Sequence, residues 1–380
     1  MKYFLEQCLS SVSAAMKETD GEVIVVDNAS GDRSVAWLKP RFPSVIFLEE
    51  KENLGFAKAN NKALEIAKGD FILFLNPDTI IPEDAFTKCI QFLEMHPNAG
   101  AVGVRMIDGS GNFLAESKRS LPTPSSAFFK LTGLSSLFPS SRIFSKYSLG
   151  NLPEKGVYEV DILSGAFIMI PKKVLTLTGG LDENFFMYGE DIDLSYRIQK
   201  KDFHNFYLGD ITIIHFKGES TKKGSLNYVR IFYKAMFLFV QKHYKGFGNW
   251  WMKAFLKTGI TARAFISVLA LPFRKKKKSV AEKIRLAALI GNPTQTVKDI
   301  LKQHNPSIRF EEIPVEQAST SSSNADAVVF CIGSLSYKEA IEIVSKRGNY
   351  SFKWHGLNTF SIVSSDDKNK TGEVLLLNTA

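Results

Sequence analysis

The first hundred residues alternate between two hydrophobic periods. Phe4, Cys8, Ser11, Val12 and Ala15 recur at helical spacing and predict a helix over Phe4 to Met16. Glu22 to Val26 and Val45 to Glu49 are short apolar runs that read as strands. Phe56 to Ala67 returns to the helical period, Phe71 to Leu75 is a continuous apolar strand, and Glu83 to Met95 is a helix entered through Pro82. Strands that are apolar throughout suit a parallel sheet covered on both faces. The alternation predicts an α/β doubly wound domain.

Further along, residues 120 to 155 are rich in Ser, Pro and Phe, show little periodicity, and read as a long irregular insertion, either a lid or an acceptor-facing loop. Val157 to Ile170 regains strand character, Pro171 to Leu177 is a short helix, Asp191 to Lys201 a helix and Ile211 to His215 a strand. Leu226 to Tyr244 is a long aromatic-rich helix. From Ile284 a second α/β unit begins. Strands are predicted at Leu286 to Ile290 and Ala327 to Ile332, helices at Thr296 to His304 and Ser336 to Arg347, and a Ser/Thr-rich loop at Ala318 to Asn324. The implied division is 1–245, 246–283 and 284–380.

Composition changes this picture in one place. The net charge is +9. Residues 246 to 285 hold ten Lys/Arg and one acid, Glu282, so 10 − 1 accounts for all of it. Trp250 to Phe273 is apolar but interrupted by Lys253, Lys257 and Arg263, and its longest uncharged stretch falls well short of the ~20 residues that span a bilayer. Arg274 to Lys278 then gives a run of cations. A basic amphipathic segment of this kind suits the interface of an anionic membrane; an ordinary amphipathic helix with a solvated charge run is the plainer reading. Glu6 interrupts the N-terminus and no apolar core follows it, so no secretory leader is expected. Cys8, Cys89 and Cys331 lack metal-ligand spacing and read as reduced thiols of a cytoplasmic protein.

Two acidic clusters carry the candidate chemistry. Asn76-Pro77-Asp78 ends an apolar strand, where a carboxylate is a natural ligand for a hard divalent cation. Gly189-Glu190-Asp191-Ile192-Asp193 opens a helix, where acids are favoured by the helix dipole whether or not they do chemistry. Asp27 ends the Val23 to Val26 run, at the strand end where open α/β sheets bind ligands, and is expected to contact one. Ser30 and Asp32 are expected to shape the turn and cap the next helix. Gly55 permits a tight helix entry, while Asn60 and Asn61 are poor helix formers that either make polar contacts or face solvent. His215, at a strand end, is either a ligand or a satisfied histidine. Asp193 and Arg197 read as structural.

These motifs together resemble the family 2 glycosyltransferases, especially the bacterial rhamnosyltransferase-like branch. The resemblance rests on Asp27-Asn28-Ala29-Ser30-Gly31-Asp32, Asn53-Leu54-Gly55-Phe56-Ala57, Asn76-Pro77-Asp78, Ser164-Gly165-Ala166, Gly189 to Leu194 with Arg197, and His215-Phe216-Lys217-Gly218. It spans roughly residues 1 to 245, and its strength lies in the order of several individually weak motifs. It implies a GT-A nucleotide-diphospho-sugar transferase fold and an inverting, hexosyltransferase-type reaction in cell-surface glycan synthesis. The donor would be a nucleotide-diphospho-sugar, and the acceptor a hydroxyl of a lipid-linked or polysaccharide chain. By position, Asp191 would be the general base and Glu190 would position acceptor or base. Asp27, Asn28, Asn53, Gly55, Asn60, Asn76 and Asp78 would bind the nucleotide-sugar. Asp78, with His215 as a second ligand, would hold Mg²⁺ or Mn²⁺.

The sequence departs from the family at its start. The resemblance leads one to expect a hydrophobic strand before the first helix, whereas here the helix follows Met1 at once. Without that strand, two strand edges inside the sheet are expected to be open. The family's helix-closing glycine is replaced at Lys201-Asp202. The 284–380 unit looks Rossmann-like but lacks G-x-G-x-x-G, so it implies no dinucleotide; regulation, partner docking or homo-oligomerisation are its candidate roles. The expected location is cytoplasmic, on the inner face of the membrane, with no nucleic-acid partner. The rival function is a catalytically inactive sugar-nucleotide-binding or scaffold protein in the same assembly.

Overall fold

The computed structural model describes residues 1–123, 137–138, 140–216, 226–244, 284–318, 324–347, 350–366 and 371–376. The basic segment 246–283, for which a membrane role is expected, lies outside them. No helix among the described residues is long and apolar enough to cross a membrane.

The chain opens with α1 (Lys2–Ala15), β1 (Ile24–Asp27), α2 (Ser34–Leu38), β2 (Ile46–Glu49), α3 (Phe56–Ile66), β3 (Phe71–Leu75), β4 (Thr79–Ile80), α4 (Ala85–Met95) and β5 (Ala99–Ile107). It continues through β6 (Lys118–Arg119), β7 (Val157–Val160), β8 (Ile162–Leu163), β9 (Phe167–Pro171), α5 (Lys172–Thr178), α6 (Glu190–Gln199), β10 (His204–His215) and α7 (Leu226–His243). The main sheet runs β3-β9-β5-β10-β4, with β7 on β10. It is mixed, not all parallel as the apolar strands imply: β5 and β10 are parallel, while β9 runs antiparallel to β3 and β5. Two apolar cores cover its faces, one around Cys89, Met106 and Ile213, the other around Ile170, Leu194 and Tyr207.

Two strand expectations are corrected. Val157 to Ile170 divides into β7, β8 and the start of β9, because the chain turns at Asp161 and again at Ser164 to Ala166. The strand at Ile211 to His215 begins seven residues earlier, and its pairing with β5 shifts register between Leu208 and Thr212.

β1 pairs only with β2, as a separate parallel two-stranded sheet, among the described residues. Every residue of β1 and of β3 lines one cavity of about 1150 Å³, which α1 closes with Leu5, Cys8, Leu9 and Val12. β1 and β3 thus line the same cavity while belonging to different sheets.

The C-terminal unit contains β11 (Leu286–Gly291), α8 (Gln295–His304), β12 (Arg309–Ile313), β13 (Ala327–Cys331), α9 (Tyr337–Arg347), β14 (Ser351–His355), β15 (Ser361–Ser364) and β16 (Glu373–Leu376). Its sheet runs β12-β11-β13-β14-β15-β16; the first four strands are parallel and the last two antiparallel. It is not packed independently. Phe4, Ile80, Ile214 and Phe216 share one core with Phe330, Tyr337 and Trp354.

Candidate active site

The site is assembled where β1, β3, β6, β10 and α6 end around the cavity. Asp27, Asn28, Asn53, Gly55, Asn60, Asn76, Glu190, Asp191 and His215 all line it. These are the sequence-predicted site residues with the exception of Asp78.

On one side, Asp27 ends β1 and accepts hydrogen bonds from Ser30 N (3.2 Å) and the Ser30 hydroxyl. Asn28 clamps the following loop: its Nδ2 donates to Asn53 Oδ1 (3.0 Å) and Gly55 O (3.2 Å), and its Oδ1 accepts from Leu54 N (2.8 Å). Gly55 has φ +83°, and a Cβ there would lie 2.6 Å from the Phe186 ring. No other residue fits this turn without displacing Phe186. Asn60 donates to Phe56 O (2.9 Å). Asn61 instead holds Leu181 through both its amide atoms, at 2.8 and 3.0 Å, so its contacts are structural.

On the other side, sheet pairing decides which side chains meet. Leu75 pairs with Phe167, which brings Asn76 N to Ala166 O at 3.0 Å. Thr79 pairs with His215, which sets Asp78 Oδ1 3.4 Å from His215 Nε2. Asn76 Nδ2 lies 3.4 Å from the same nitrogen. Asp78 and His215 are buried, and Asp78 lies behind His215 rather than on the cavity wall. His215 Nδ1 has no hydrogen-bond partner among the described residues. Asp78 Oδ1 and His215 Nε2 are close enough to share one Mg²⁺ or Mn²⁺, with the ligand's own oxygens and water completing the shell. Among the described residues no three His, Cys, Asp or Glu side chains converge on one point.

α6 supplies the second acidic cluster, and its acids have different surroundings. Asp193 is fully buried and structural: Oδ2 accepts from Arg197 Nε (2.7 Å), and Oδ1 meets Lys242 (2.8 Å) and His243 (2.6 Å). Arg197 also donates to the carbonyls of Thr178 and Gly180. Asp191 Oδ1 accepts from Ile192 N (2.8 Å), and Oδ2 from Gly165 N (3.3 Å) and Arg119 (2.5 Å). Glu190 is buried, and its Oε2 has no partner among the described residues. Burial first, and the Asp191 charge second, push its pKa up to about 8.

Arg119 and Tyr147 line the same cavity and were not anticipated. Arg119 stands just ahead of the irregular insertion with no motif around it, and only pairing of β6 with β8 carries it to Asp191. Phe144, Ser145 and Ser148 of the insertion also reach the cavity. The three cysteines are buried and free, and burial raises the Cys8 thiol to about 11.

Residues 2–152 match the model of the family described as Glycosyl transferase family 2. The chain is 25% identical over 290 residues to an N-acetylglucosaminyl-diphospho-decaprenol L-rhamnosyltransferase of Mycobacterium tuberculosis, covering 73% of this chain and 92% of that protein. It is 26% identical over 176 residues to rhamnosyltransferase WbbL of Escherichia coli, covering 43% of this chain and 61% of that one. Among solved structures, mannosyltransferase PcManGT of Pyrobaculum calidifontis, in complex with GDP-Man and Mn²⁺, aligns with a TM-score of 0.42 at 18% identity, over 71% of this chain and 75% of that one.

Proposed function

We propose that this chain, which carries a glycosyl transferase family 2 domain over residues 2–152, moves a sugar from a nucleotide-diphospho-sugar to a hydroxyl of a lipid-linked or polysaccharide acceptor, with inversion. The observation that carries the reading is the gathering of Asp27, Asn76, His215 and Asp191 around one cavity. Asp27 and the Asn28–Gly55 clamp take the nucleoside, and Asn76 and His215 face the diphosphate. Asp78 and His215 would hold a divalent ion, which offsets the charge that develops on the diphosphate as it leaves.

The acceptor oxygen forms the new bond to the anomeric carbon. The carbon–oxygen bond to the diphosphate breaks, and its electron pair leaves with the nucleoside diphosphate. The acceptor's proton passes to Asp191, the general base. Attack from the side opposite the leaving group needs no covalent intermediate.

A second reading is favoured by a different observation. The cavity separates β1 from β3 along their whole length, so the nucleoside side and the diphosphate side are not joined by one sheet. On that reading the protein binds sugar nucleotides without turnover. Incubating the protein with UDP-, GDP- and dTDP-sugars and Mn²⁺, and measuring nucleoside diphosphate release, separates the two. Transfer is expected to need both Asp191 and Asp78. Release that persists in Asp191→Asn and Asp78→Ala, or donor binding with no release under any acceptor, defeats the first reading.

A further inference from the structure

Arg119 is a cation on the cavity wall with only 12% of its side chain exposed. Its NH2 donates to Asp191 Oδ2 at 2.5 Å and to Leu163 O at 2.8 Å. Asp191 Oδ2 also accepts from Gly165 N, so a strand (β6), a turn (Ser164 to Ala166) and a helix start (α6) meet on one carboxylate oxygen. Among the described residues the other oxygen accepts from Ile192 N alone. One oxygen is therefore fixed by the scaffold, and the other keeps a lone pair for a proton.

The charges facing this carboxylate are few. Glu190 precedes it on α6, and Arg119 faces it from β6 with Tyr147 beside it. Two neighbouring carboxyls in a poorly solvated site do not both ionise readily. A guanidinium bonded to one of them decides which carries the charge. Burial alone would push the Arg119 guanidinium down, yet Asp191 and Tyr147 hold it above its ordinary value, so the cation persists across the working pH range.

We infer that Arg119 is a positioning residue for the base: through Asp191 Oδ2 it fixes the orientation of that carboxylate and sets a cation against it. The inference rests on the reading of Asp191 as base. A lysine keeps the charge but not the planar fork, so it replaces the electrostatic part of the role better than the geometric part.

Nucleoside diphosphate release is measured from pH 5 to pH 9 for the wild type, Arg119→Lys, Arg119→Gln and Asp191→Asn, together with melting temperatures that include the Arg119→Gln/Asp191→Asn double variant. In Arg119→Gln, kcat is expected to fall at least about tenfold, with donor KM little changed. Arg119→Lys should recover part of that loss, since lysine keeps a cation beside Asp191 but not the planar fork. The melting losses of the two single variants should not add in the double variant, since both remove the same pair. An unchanged kcat in Arg119→Gln while Asp191→Asn is inactive overturns this inference alone, as do additive melting losses. A wild type that releases nothing, or a fully active Asp191→Asn, overturns the assignment of Asp191 and this inference with it.

Discussion

Glu190 and Asp191 are adjacent, and the difference between them is one of solvation and partner. Asp191 has a cation, two backbone donors and an opening to the cavity, while Glu190 has an unused buried oxygen and a negative neighbour. Asp191→Asn keeps the shape and removes the base, so transfer is expected to fall by about 10²- to 10⁴-fold with donor affinity retained, read by nucleoside diphosphate release and by titration with the donor. Glu190 gives a prediction about stability. An exposed glutamate carboxyl titrates near 4.5, and burial beside Asp191 pushes this one up to about 8 in the folded chain. Between those values the native state binds the proton more tightly, so its contribution is fully present below about pH 4.5 and is lost as pH rises through about 8. The loss is on the order of a few kcal/mol. Melting temperature should therefore decline from pH 5 to pH 8 in the wild type, and Glu190→Gln should flatten that decline.

At the scale of elements, the site depends on how closely backbone segments approach. The Gly55 turn brings α3 against Phe186, whose carbonyl accepts from Phe56 N at 2.7 Å. Gly55→Ala must leave a left-handed conformation or move Phe186, at a cost of about 1–3 kcal/mol. Its melting temperature should drop and its donor affinity weaken together, because the Asn28–Asn53 clamp closes on the same turn. Gly100 has a comparable role in β5: a Cβ there would come within 2.3 Å of Ile198, so α6 lies directly on the strand. That packing also explains why β5 was not legible. It is buried at every residue, yet Ala99, Gly100, Ala101 and Gly103 give it small residues and two glycines, which read as breakers. β1, β2 and β3 announce themselves because their residues are large and apolar. Asp27, Asn76, Glu190, Asp191 and His215 were legible for a related reason: they stand at element ends, where a polar residue interrupts the apolar pattern. Arg119 was not, since only the pairing of β6 with β8 gives it a partner.

At the scale of the whole molecule, α1 joins two sheets through opposite faces. Leu5, Cys8, Leu9 and Val12 face the cavity beside β1 and β3, and Glu6, Gln7 and Ser10 face the C-terminal unit. The second face is polar and so reads as solvent-exposed in the sequence, but it is buried and bonded. Gln7 Nε2 donates to Thr359 Oγ1, Ser361 O and Ser361 Oγ at 3.0 to 3.1 Å, while its Oε1 accepts from Gly356 N at 2.7 Å. Ser10 bridges Leu357 O and the Tyr337 hydroxyl. Glu83 accepts from the backbone N–H of Tyr337 and Lys338 and so caps α9 from outside its own unit. A buried amide that satisfies this many partners leaves them orphaned when it is removed, at about 1–3 kcal/mol for each donor or acceptor that stays buried. Gln7→Leu is thus expected to destabilise the whole chain by several kcal/mol, on the order of one such penalty for Gly356 N and another for the Thr359–Ser361 pair. The shared core makes a stronger demand. Phe4 and Phe216 pack edge to face at 5.1 Å within a cluster that the C-terminal strands complete. The full chain should accordingly melt in one transition by circular dichroism and by calorimetry, with equal van't Hoff and calorimetric enthalpies. A variant ending before residue 284 should expose Phe4, Ile80 and Phe216, bind a hydrophobic dye and lose that cooperativity. If the shortened variant instead melts as sharply as the full chain, the two units are coupled only by contact, and α1 folds without its second face.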